Sequence, residues 1–476
     1  MNTAEIDFNP AYLQAISKDQ AWHYRIIPRY SSESVVTLFC DQESDSSALT
    51  EELEIVFGKK VELEILSSAS LNTLLNKHYL KESGQHQFGK SSLAMEGDGF
   101  LNELIREARN LKSSDIHIEI YEEKCRVRIR IDGMMVERYV LKKSEYPALI
   151  NKIKIMANLD IAEKRLPQDG RINFKNGEEQ FDIRVSVLPT LHGEKVVLRL
   201  LNNNAANIDL EHVGFSVFDR ENYMQGIRRP NGIILISGPT GSGKTTTLYA
   251  TLKYLNKETR NILTIEDPIE YTLQGINQVQ LKESIGLTFA SALRTFLRQD
   301  PDVIMVGEIR DPETANMAIR AALTGHLVLS TVHTNSAWGT VSRLMDMGIP
   351  SFLVANTLNT SVAQRLLRLL CNNCKMEMEF DPASYPKQFK PFAPVKHHFV
   401  ARGCEKCYHT GYSGRKAVYE VIPLDHELTQ EIKHGNMYIN TLLEARGIKT
   451  LAENAFALFA AGETTIEEIY PLLFTN

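Results

Sequence analysis

One segment limits the possible folds of this chain more than any other. The apolar run Ile233–Ser237 leads directly into Gly-Pro-Thr-Gly-Ser-Gly-Lys-Thr at 238–245, and a helix-forming stretch then runs from Lys244 to Leu255. A glycine-rich loop between a strand and a helix presents backbone N–H groups that bind phosphate oxygens. A glycine-rich turn without a ligand is the alternative, but strand, loop, lysine and threonine occur here together and in order. The segment therefore predicts a nucleoside triphosphate site.

The residues of this loop carry the expected contacts with ATP and Mg²⁺. In loops of this kind the lysine, here Lys244, reaches the β- and γ-phosphates, and the hydroxyl of the next residue, Thr245, coordinates Mg²⁺. The other residues that we expect to surround the phosphates are Gly238, Pro239, Thr240, Gly241, Ser242, Gly243 and Thr246. The sequence thus predicts ATP and Mg²⁺ as cofactors.

Two further apolar segments end in carboxylates. Asp302–Glu308 is typical of a core strand flanked by acids, and such a strand brings a carboxylate beside Mg²⁺ and the attacking water. We therefore expect Glu308 to be catalytic, with an exposed acid at a strand end as the alternative. Glu266 and Glu270 follow the strand that begins at Ile262. They are candidates for positioning water or metal, and a solvated acidic turn is the alternative.

Histidines and arginines near these strands are weaker candidates. His326 and His333 bracket the apolar strand 327–332 and could sense the γ-phosphate or contact a neighbouring subunit, although capping histidines are common. Arginine forks suit the phosphate charge that develops in a transition state. The arginines that flank the acidic strand are Arg294, Arg298 and Arg310. For each of these arginines, a surface salt bridge is an equally good interpretation.

The chain divides into four segments by pattern. Residues 20–82 alternate strand-like and helical stretches, as a small α/β domain does, and the polar, glycine-rich stretch 83–99 is a linker. Residues 100–204 predict an arginine-rich α+β module with a hairpin at Asp132-Gly133. The remainder, 205–476, has nearly continuous apolar strands separated by helices, which favours a parallel sheet covered on both faces.

Four of the six cysteines form two Cys-x-x-Cys pairs, at 371/374 and 404/407. Together Cys371, Cys374, Cys404 and Cys407 complete the tetrahedral thiolate set that structural Zn²⁺ prefers. The segment between the pairs is proline-rich and has no obvious core, so a metal would stabilise it. A redox dithiol pair and an iron–sulfur cluster are the alternatives, and we expect no catalytic role for the metal.

Composition excludes some classes of function. The 476 residues carry a net charge of −6, which argues against a nucleic-acid or anionic-membrane binder as a whole but allows a local basic face. No run of about 18 apolar residues occurs, and the first ten residues carry no secretory signal. We therefore expect a cytoplasmic protein without a membrane span.

These elements together resemble the secretion ATPases of type II secretion and type IV pilus assembly, closely over 100–476 and more weakly over 20–82. The motifs that carry the resemblance are RLPQDGRI (165–172), GPTGSGKTTTLYA (238–250), TIEDPIEY (264–271), GLTFASALRTFLRQDPDVIMVGEIRD (286–311), ALTGHLVLSTVHTN (322–335), AQRLLRLLCNNCK (363–375) and GCEKCYHTGYSGRKAVYE (403–420). The resemblance implies a RecA-like core with a zinc insertion, preceded by a PAS-like α+β module and a small N-terminal domain.

The resemblance also implies how the site is assembled. Members of the family form hexamers in which the arginine-bearing module closes on ATP, so Arg130, Arg184 and Arg199 would contact phosphates in trans or on closure. Glu308 would be the catalytic carboxylate, and the residues that would support it are Glu266, Glu270, His326 and His333. The residues at the active site or subunit interface would be Arg294, Arg298 and Arg310.

By the same resemblance, the tetracysteine favours an assembly or export motor, because pilus-retraction members generally lack it. Residues 20–82 would dock on the cytoplasmic domain of an inner-membrane platform protein. Two alternative functions remain. One is a DNA-translocating motor, which the net negative charge disfavours. The other is a non-hydrolysing scaffold, which the presence of all the expected catalytic residues disfavours. Type II secretion is preferred slightly over pilus assembly on the compact N-terminal domain alone.

Overall fold

The computed structural model describes residues 16, 18–32, 35–42, 46–68, 71, 74–75, 99–176, 179–200, 209–387, 389–436 and 438–474. The predicted linker 83–99 lies outside these residues except for its last residue. The chain forms two compact units, one up to Phe100 and one from Leu101. Among the described residues, no helix is both long and apolar enough to cross a bilayer.

The first unit is a three-stranded sheet with helices. Its strands are β1 Ile26–Ser31, β2 Val35–Asp41 and β3 Lys60–Leu66, and its helices are α1 Lys18–His23 and α2 Ser46–Phe57. β2 lies in the centre, antiparallel to β1 and parallel to β3. The last four residues of β2, 38–41, are all buried, and Leu38 and Cys40 belong to the same core cluster as Leu53 of α2. Cys40 is thus a small core residue.

The second unit begins with a six-stranded antiparallel sheet in the order β6-β5-β4-β9-β8-β7. Its elements are α3 Gly99–Asn110, β4 Asp115–Ile120, β5 Cys125–Ile131, β6 Met134–Leu141, α4 Tyr146–Met156, β7 Gln168–Asn176, β8 Glu179–Thr190 and β9 Gly193–Leu200. Burial alternates strictly along β5, so its apolar residues enter the core and its arginines lie on the other face. This alternation places a basic surface on one side of the sheet.

A seven-stranded sheet forms the centre of the second unit, in the order β12-β11-β13-β14-β10-β15-β18. Its strands are β10 Gly232–Ser237, β11 Ile262–Glu266, β12 Asn277–Gln280, β13 Val303–Val306, β14 Leu327–Val332, β15 Leu358–Leu370 and β18 Tyr412–Pro423. All pairs are parallel except β15 with β18. Ile233 packs on one face of the sheet and Ile234 on the other, which explains the unbroken apolar run.

Helices cover both faces of this sheet. The helices are α5 Val217–Ile227, α6 Lys244–Leu255, α7 Phe289–Phe296, α8 Pro312–Leu323, α9 Gly339–Asp346, α10 Ser351–Thr357, α11 His426–His434, α12 Asn440–Ala445, α13 Leu451–Ala460 and α14 Ile466–Ile469. Short 3₁₀ turns occur at Glu283–Ile285, Pro382–Ser384, Glu405–Cys407 and Tyr470–Leu472. The parallel strands end at one common edge, where polar side chains of different strands meet.

The segment between the two cysteine pairs has a core, contrary to the sequence-based expectation. It contains a small hairpin, β16 Met376–Glu379 with β17 His397–Val400. Phe380 is buried, and its ring lies 5.4 Å from Phe459 of α13, while Phe392 lies 5.5 Å from Phe456 of the same helix. The partners of these rings lie some sixty or more residues away in sequence, which is why the segment alone gives no sign of a core.

Candidate nucleotide site and metal centre

The glycine-rich loop fits tightly between β10 and α6. Gly238, Gly241 and Gly243 have φ angles of +149°, +82° and +88°, which L side chains rarely adopt. A Cβ atom on Gly238 would lie 2.5 Å from the Gln364 carbonyl oxygen and 2.7 Å from Ser242 Oγ. β15 therefore supports the start of the loop directly, and the loop ends at the amino terminus of α6, where backbone N–H groups are free to bind an anion.

The loop holds cationic and hydroxyl donors that suit phosphate. Lys244 Nζ donates to the carbonyl oxygens of Gly238, at 2.7 Å, and Pro239, at 3.0 Å. Burial lowers the pKa of Lys244 to about 8, although the charge of Glu308 raises it. Within the described residues, no carboxylate lies within 4.0 Å of Lys244 Nζ, and the buried Ser242 Oγ has no hydrogen-bond partner. A phosphate would supply a counter-ion for Lys244 and a hydrogen-bond acceptor for Ser242 Oγ.

The threonines that follow the lysine differ in their surroundings. Thr245 is exposed at the first turn of α6, and Thr246 is half-buried. Thr247 is fully buried, and its hydroxyl donates to Gln364 Oε1 at 3.0 Å. Of the three, Thr245 is therefore the threonine most accessible to a cation.

Glu308 lies two residues beyond β13, at the edge where the parallel strands end. The backbone around it is fixed, because Gly307 N donates to Ile265 O at 2.8 Å and Ile309 N donates to Thr331 O at 2.9 Å. Its side chain is only 14% exposed, and Oε2 lies 2.5 Å from Arg310 Nε and 3.6 Å from His333 Nε2. The structure thus brings Glu308, Arg310 and His333 together, within electrostatic reach of Lys244.

Glu266 occupies a different environment from Glu308. Its carboxylate is 3% exposed and accepts hydrogen bonds from Tyr249 Oη of α6, from Thr264 Oγ1 at 2.6 Å and from Gln278 Nε2 at 3.0 Å. Burial and then the charge of Glu266 raise the pKa of Tyr249. Glu266 therefore joins the helix that carries Lys244 to the adjacent strand β11, and its two oxygens are already engaged by protein donors.

The predicted phosphate-binding arginines lie in one cross-strand row. Arg130 is paired with Asp115, Asp115 with Arg199, Arg199 with Arg184, and Arg184 with Arg171, across the strands β5-β4-β9-β8-β7. Directly paired residues share one face of an antiparallel sheet. Asp115 Oδ1 accepts from Arg199 Nε at 2.9 Å, and Arg130 Nε lies 3.7 Å from Asp115 Oδ2. The row itself thus holds four arginines and one acid, and acids outside the row pair with two of the arginines.

This arginine row meets the central sheet at the acidic turn after β11. Arg184 Nη2 donates to Ile269 O at 2.6 Å, and Arg184 Nη1 lies 3.2 Å from Glu270 Oε2. A second contact joins the two sheets where Gly414 N donates to Asp132 Oδ2 at 2.7 Å, in the hairpin that the sequence predicts. Glu270 is 41% exposed, so its pairing with Arg184 leaves it accessible to solvent.

Three predicted residues, His326, Arg294 and Arg298, make contacts within this chain outside the phosphate loop. His326 is at the amino end of β14, whose six residues separate it from the loop edge by about 20 Å. Its Nδ1 lies 2.9 Å from Ala321 O, so it caps α8 within this chain. Arg294 is exposed and pairs with Glu313, and the exposed Arg298 donates to Arg294 O. Contact of these residues with a neighbouring subunit stays a prediction.

Sequence reasoning missed the contribution of β15. Gln364 contacts Gly238 and Thr247, and Arg365 Nη1 would lie 3.1 Å from a Cβ on Gly238. The segment AQRLLRLL, which contains both residues, belongs to the motifs that carry the resemblance. Its apolar spacing does not alternate as in an ordinary strand, so no sequence pattern placed it beside the loop.

The four cysteines of the two pairs form one cluster. Sγ of Cys371 lies 3.9 Å from Cys404, Cys374 lies 3.7 Å from Cys407, and all four sulfur atoms lie within 4.8 Å of one another. Zn–S bonds of about 2.3 Å in a tetrahedron place sulfurs about 3.8 Å apart. The backbone N–H groups of Cys404 and Gly411 donate to Cys407 Sγ at 3.1 and 3.3 Å. This spacing fits a single structural metal ion rather than a cluster of several irons.

Comparison with known proteins places these features in a family. The model of the type II/IV secretion system protein family matches residues 96–471. Type II secretion system protein E of Pseudomonas aeruginosa is 48% identical over 371 residues, covering 78% of this chain and 74% of that protein. The type IV pilus assembly ATPase PilB of Myxococcus xanthus is 39% identical over 502 residues, covering 98% of this chain and 88% of that protein.

Solved structures share the fold. The ATPase DotB of Legionella pneumophila has a TM-score of 0.58 and 21% identity, over 78% of this chain and 95% of that one. The pilus retraction motor PilT with bound ADP has a TM-score of 0.53 and 26% identity, over 78% of this chain and 96% of that one. These matches confirm the predicted resemblance, the RecA-like α/β fold and the ATPase class: the chain belongs to the family of type II/IV secretion system proteins.

Proposed function

We propose that this ATPase hydrolyses ATP at the 238–245 loop and uses the energy to assemble the pseudopilus of a type II secretion system. The observation that carries the proposal is that Lys244 and Glu308 lie at the same edge of the sheet, where the half-buried Lys244 has no carboxylate within 4.0 Å among the described residues. When bound, ATP with Mg²⁺ would supply the phosphoryl group and the charge that polarises it.

The roles of the residues follow from their surroundings. Lys244 and the loop N–H groups would hold the phosphates, with Thr245 toward the cation. Glu308 would orient the attacking water and accept its proton, because it is fixed by its backbone yet partly accessible. Arg310 and His333, at 2.5 and 3.6 Å from Glu308 Oε2, would hold that carboxylate in place. Glu266 would act as a positioning residue through Tyr249.

Closure of the arginine row would complete the site and produce the mechanical work. Arg184 already contacts the turn that contains Glu270, so the row is joined to the end of β11, the strand whose Glu266 is hydrogen-bonded to the phosphate-loop helix. Arg130 and Arg199 would reach phosphates of the same or a neighbouring subunit of a homo-hexamer when the sheets move together. Residues 20–82 would dock on the cytoplasmic domain of an inner-membrane platform protein, which would place the enzyme at the membrane.

The docking proposal has its own support and test. Ile65 is 63% exposed on β3, which lies at the edge of the three-stranded sheet and pairs only with β2 among the described residues. An apolar residue on an open edge suits a protein partner. A chain lacking 20–82 that still reached the inner membrane of its host would contradict the assignment.

Pilus assembly is a second candidate, because the match to PilB spans 98% of this chain. The two functions separate in the host: loss of the chain would stop export of secreted proteins in the first case and surface piliation in the second.

Substitution of the two central residues tests the chemistry. We expect Lys244→Ala and Glu308→Gln to abolish phosphate release while the chain stays folded, with Glu308→Gln still binding ATP. Glu258→Gln is the matched control, since Glu258 is an exposed acid ahead of β11 at the opposite edge of the sheet. Retained turnover in both central variants would refute the site.

A further inference from the structure

Arg365 lies where two loops of the nucleotide site approach each other. It lies two residues after Ala363, the last residue of β15 that pairs with β10, and so beside the first residues of the phosphate loop. Its Nη1 is close enough to Gly238 that an added Cβ would lie 3.1 Å away. Its Nη2 lies 3.3 Å from the carbonyl oxygen of Asn335, two residues after His333. Arg365 thus bridges the phosphate loop and the loop that follows β14.

The charge of Arg365 has no direct counter-ion in the described part of the chain. Its guanidinium donates only to neutral acceptors, the carbonyl oxygen of Gln364 at 3.0 Å and two oxygens of Asn335 at 3.3 and 3.4 Å. The contrast with Arg368, three residues later on the same strand, is informative. Arg368 pairs with Glu468 and its guanidinium lies 4.0 Å from the ring of Tyr412. A half-buried arginine without a carboxylate is costly unless an anion binds it.

Two cations therefore share this side of the loop. Both approach Gly238, because Lys244 Nζ donates to its carbonyl oxygen at 2.7 Å and Arg365 Nη1 would lie 3.1 Å from a Cβ there. Both direct their donors at carbonyl oxygens of the loop or its support. Repulsion between like charges in a partly buried site is relieved when an anion lies between them.

A buried acid, Glu420, influences Arg365 through its charge and holds the neighbouring loop by a hydrogen bond. Glu420 of β18 is 4% exposed and accepts hydrogen bonds from Ala337 N at 2.8 Å and from Leu451 N at 3.2 Å. The Ala337 bond fixes the loop that carries Asn335, and the charge of Glu420 favours the charged form of Arg365. No ion pair joins Glu420 to Arg365 among the described residues, and burial raises the pKa of Glu420, so this acid does not replace an anion at the guanidinium.

We propose that Arg365 binds a phosphate group of the nucleotide from within the same chain, as a second cation beside Lys244. The inference rests on the proposed ATP-binding function and extends it to a residue outside the phosphate loop. A planar guanidinium can donate two parallel hydrogen bonds to a phosphate, which a lysine cannot. β15 would then link the nucleotide directly to the cysteine cluster, because the same strand continues to Leu370, next to Cys371.

The test measures binding of a non-hydrolysable ATP analogue and of inorganic pyrophosphate to the full chain, without turnover. We expect Arg365→Gln to weaken both by about tenfold or more, the effect of losing a charged hydrogen bond, and Arg365→Lys to lose less. Arg320→Ala is the matched control, because Arg320 is an exposed arginine near the end of α8. Melting curves of the nucleotide-free variants report whether each one folds.

The outcomes separate the two claims. Unchanged affinity in a folded Arg365→Gln variant would overturn the inference and leave the proposed function standing. Failure of the unaltered chain to bind either probe would overturn both. A loss of affinity in Arg365→Gln that Arg365→Lys partly restores would support a phosphate contact over a packing role.

Discussion

Removal of one hydroxyl, in Tyr249→Phe, tests the link between the phosphate-loop helix and the neighbouring strand. Tyr249 Oη donates to the buried carboxylate of Glu266 and also accepts from Glu270 N at 3.2 Å. Without it, one carboxylate oxygen loses its donor in a residue that is 3% exposed. A hydrogen bond to a charged group contributes about 1.5–3 kcal/mol. We therefore expect the free energy of unfolding of the second unit to fall by about this amount.

That loss converts to a shift that a thermal melt can resolve. With an unfolding entropy of about 2.1 cal/mol/K per residue and about 375 residues in the unit, the midpoint should fall by about 2–4 °C. Differential scanning fluorimetry of the nucleotide-free chain is the assay. Tyr254→Phe is the matched control, because Tyr254 lies on the same helix and is 46% exposed. Equal midpoints for the two variants would refute the proposed role of the Glu266 network.

Two other predictions concern protons and metal. The pKa of about 8 at Lys244 in the nucleotide-free chain would rise when phosphate binds, so binding takes up a proton above that pH. Affinity for an ATP analogue should be constant below about pH 8 and fall by up to about tenfold per pH unit above it. The Lys244→Arg variant should not show this fall in affinity. If the fall persists in that variant, another group is responsible for it. Purified chain should contain one zinc per molecule by elemental analysis, and Cys371→Ser or strong chelation should lower both zinc content and melting midpoint. A metal-free chain that melts normally would contradict a structural metal.

Several features could be predicted from the sequence because short-range chemistry determines them. The hairpin of β5 and β6 begins and ends where predicted, since Asp132 and Gly133 both have positive φ, at +47° and +89°. The strand before the phosphate loop is buried on both faces. An unbroken apolar run in a sequence indicates this kind of burial directly. Family membership confirms the ATPase class, while the roles of individual site residues stay predictions.

Other features depend on contacts that no local pattern reveals. β15 has a segment, 363–370, whose apolar spacing suits a helix as well as a strand, and pairing with β10 and β18 decides its structure. Arg365 was missed for that reason. The histidines at the two ends of β14 look equivalent in sequence, but a parallel strand has only one end at the ligand edge, and His326 lies at the other end. Contact of His326 with a neighbouring subunit stays a prediction. The core of the segment between the two cysteine pairs likewise depends on α13, a helix that is distant in sequence.

The central claim is that this chain is a ring-forming ATPase that drives secretion and not movement of DNA. The most direct measurement is ATP hydrolysis by the purified full chain, separated by size, with and without single-stranded DNA. The account predicts turnover confined to a hexameric fraction, unchanged by DNA and lost in Glu308→Gln. Absence of turnover in every fraction would contradict the assigned chemistry, and strong stimulation by DNA would replace the secretion motor with a translocase.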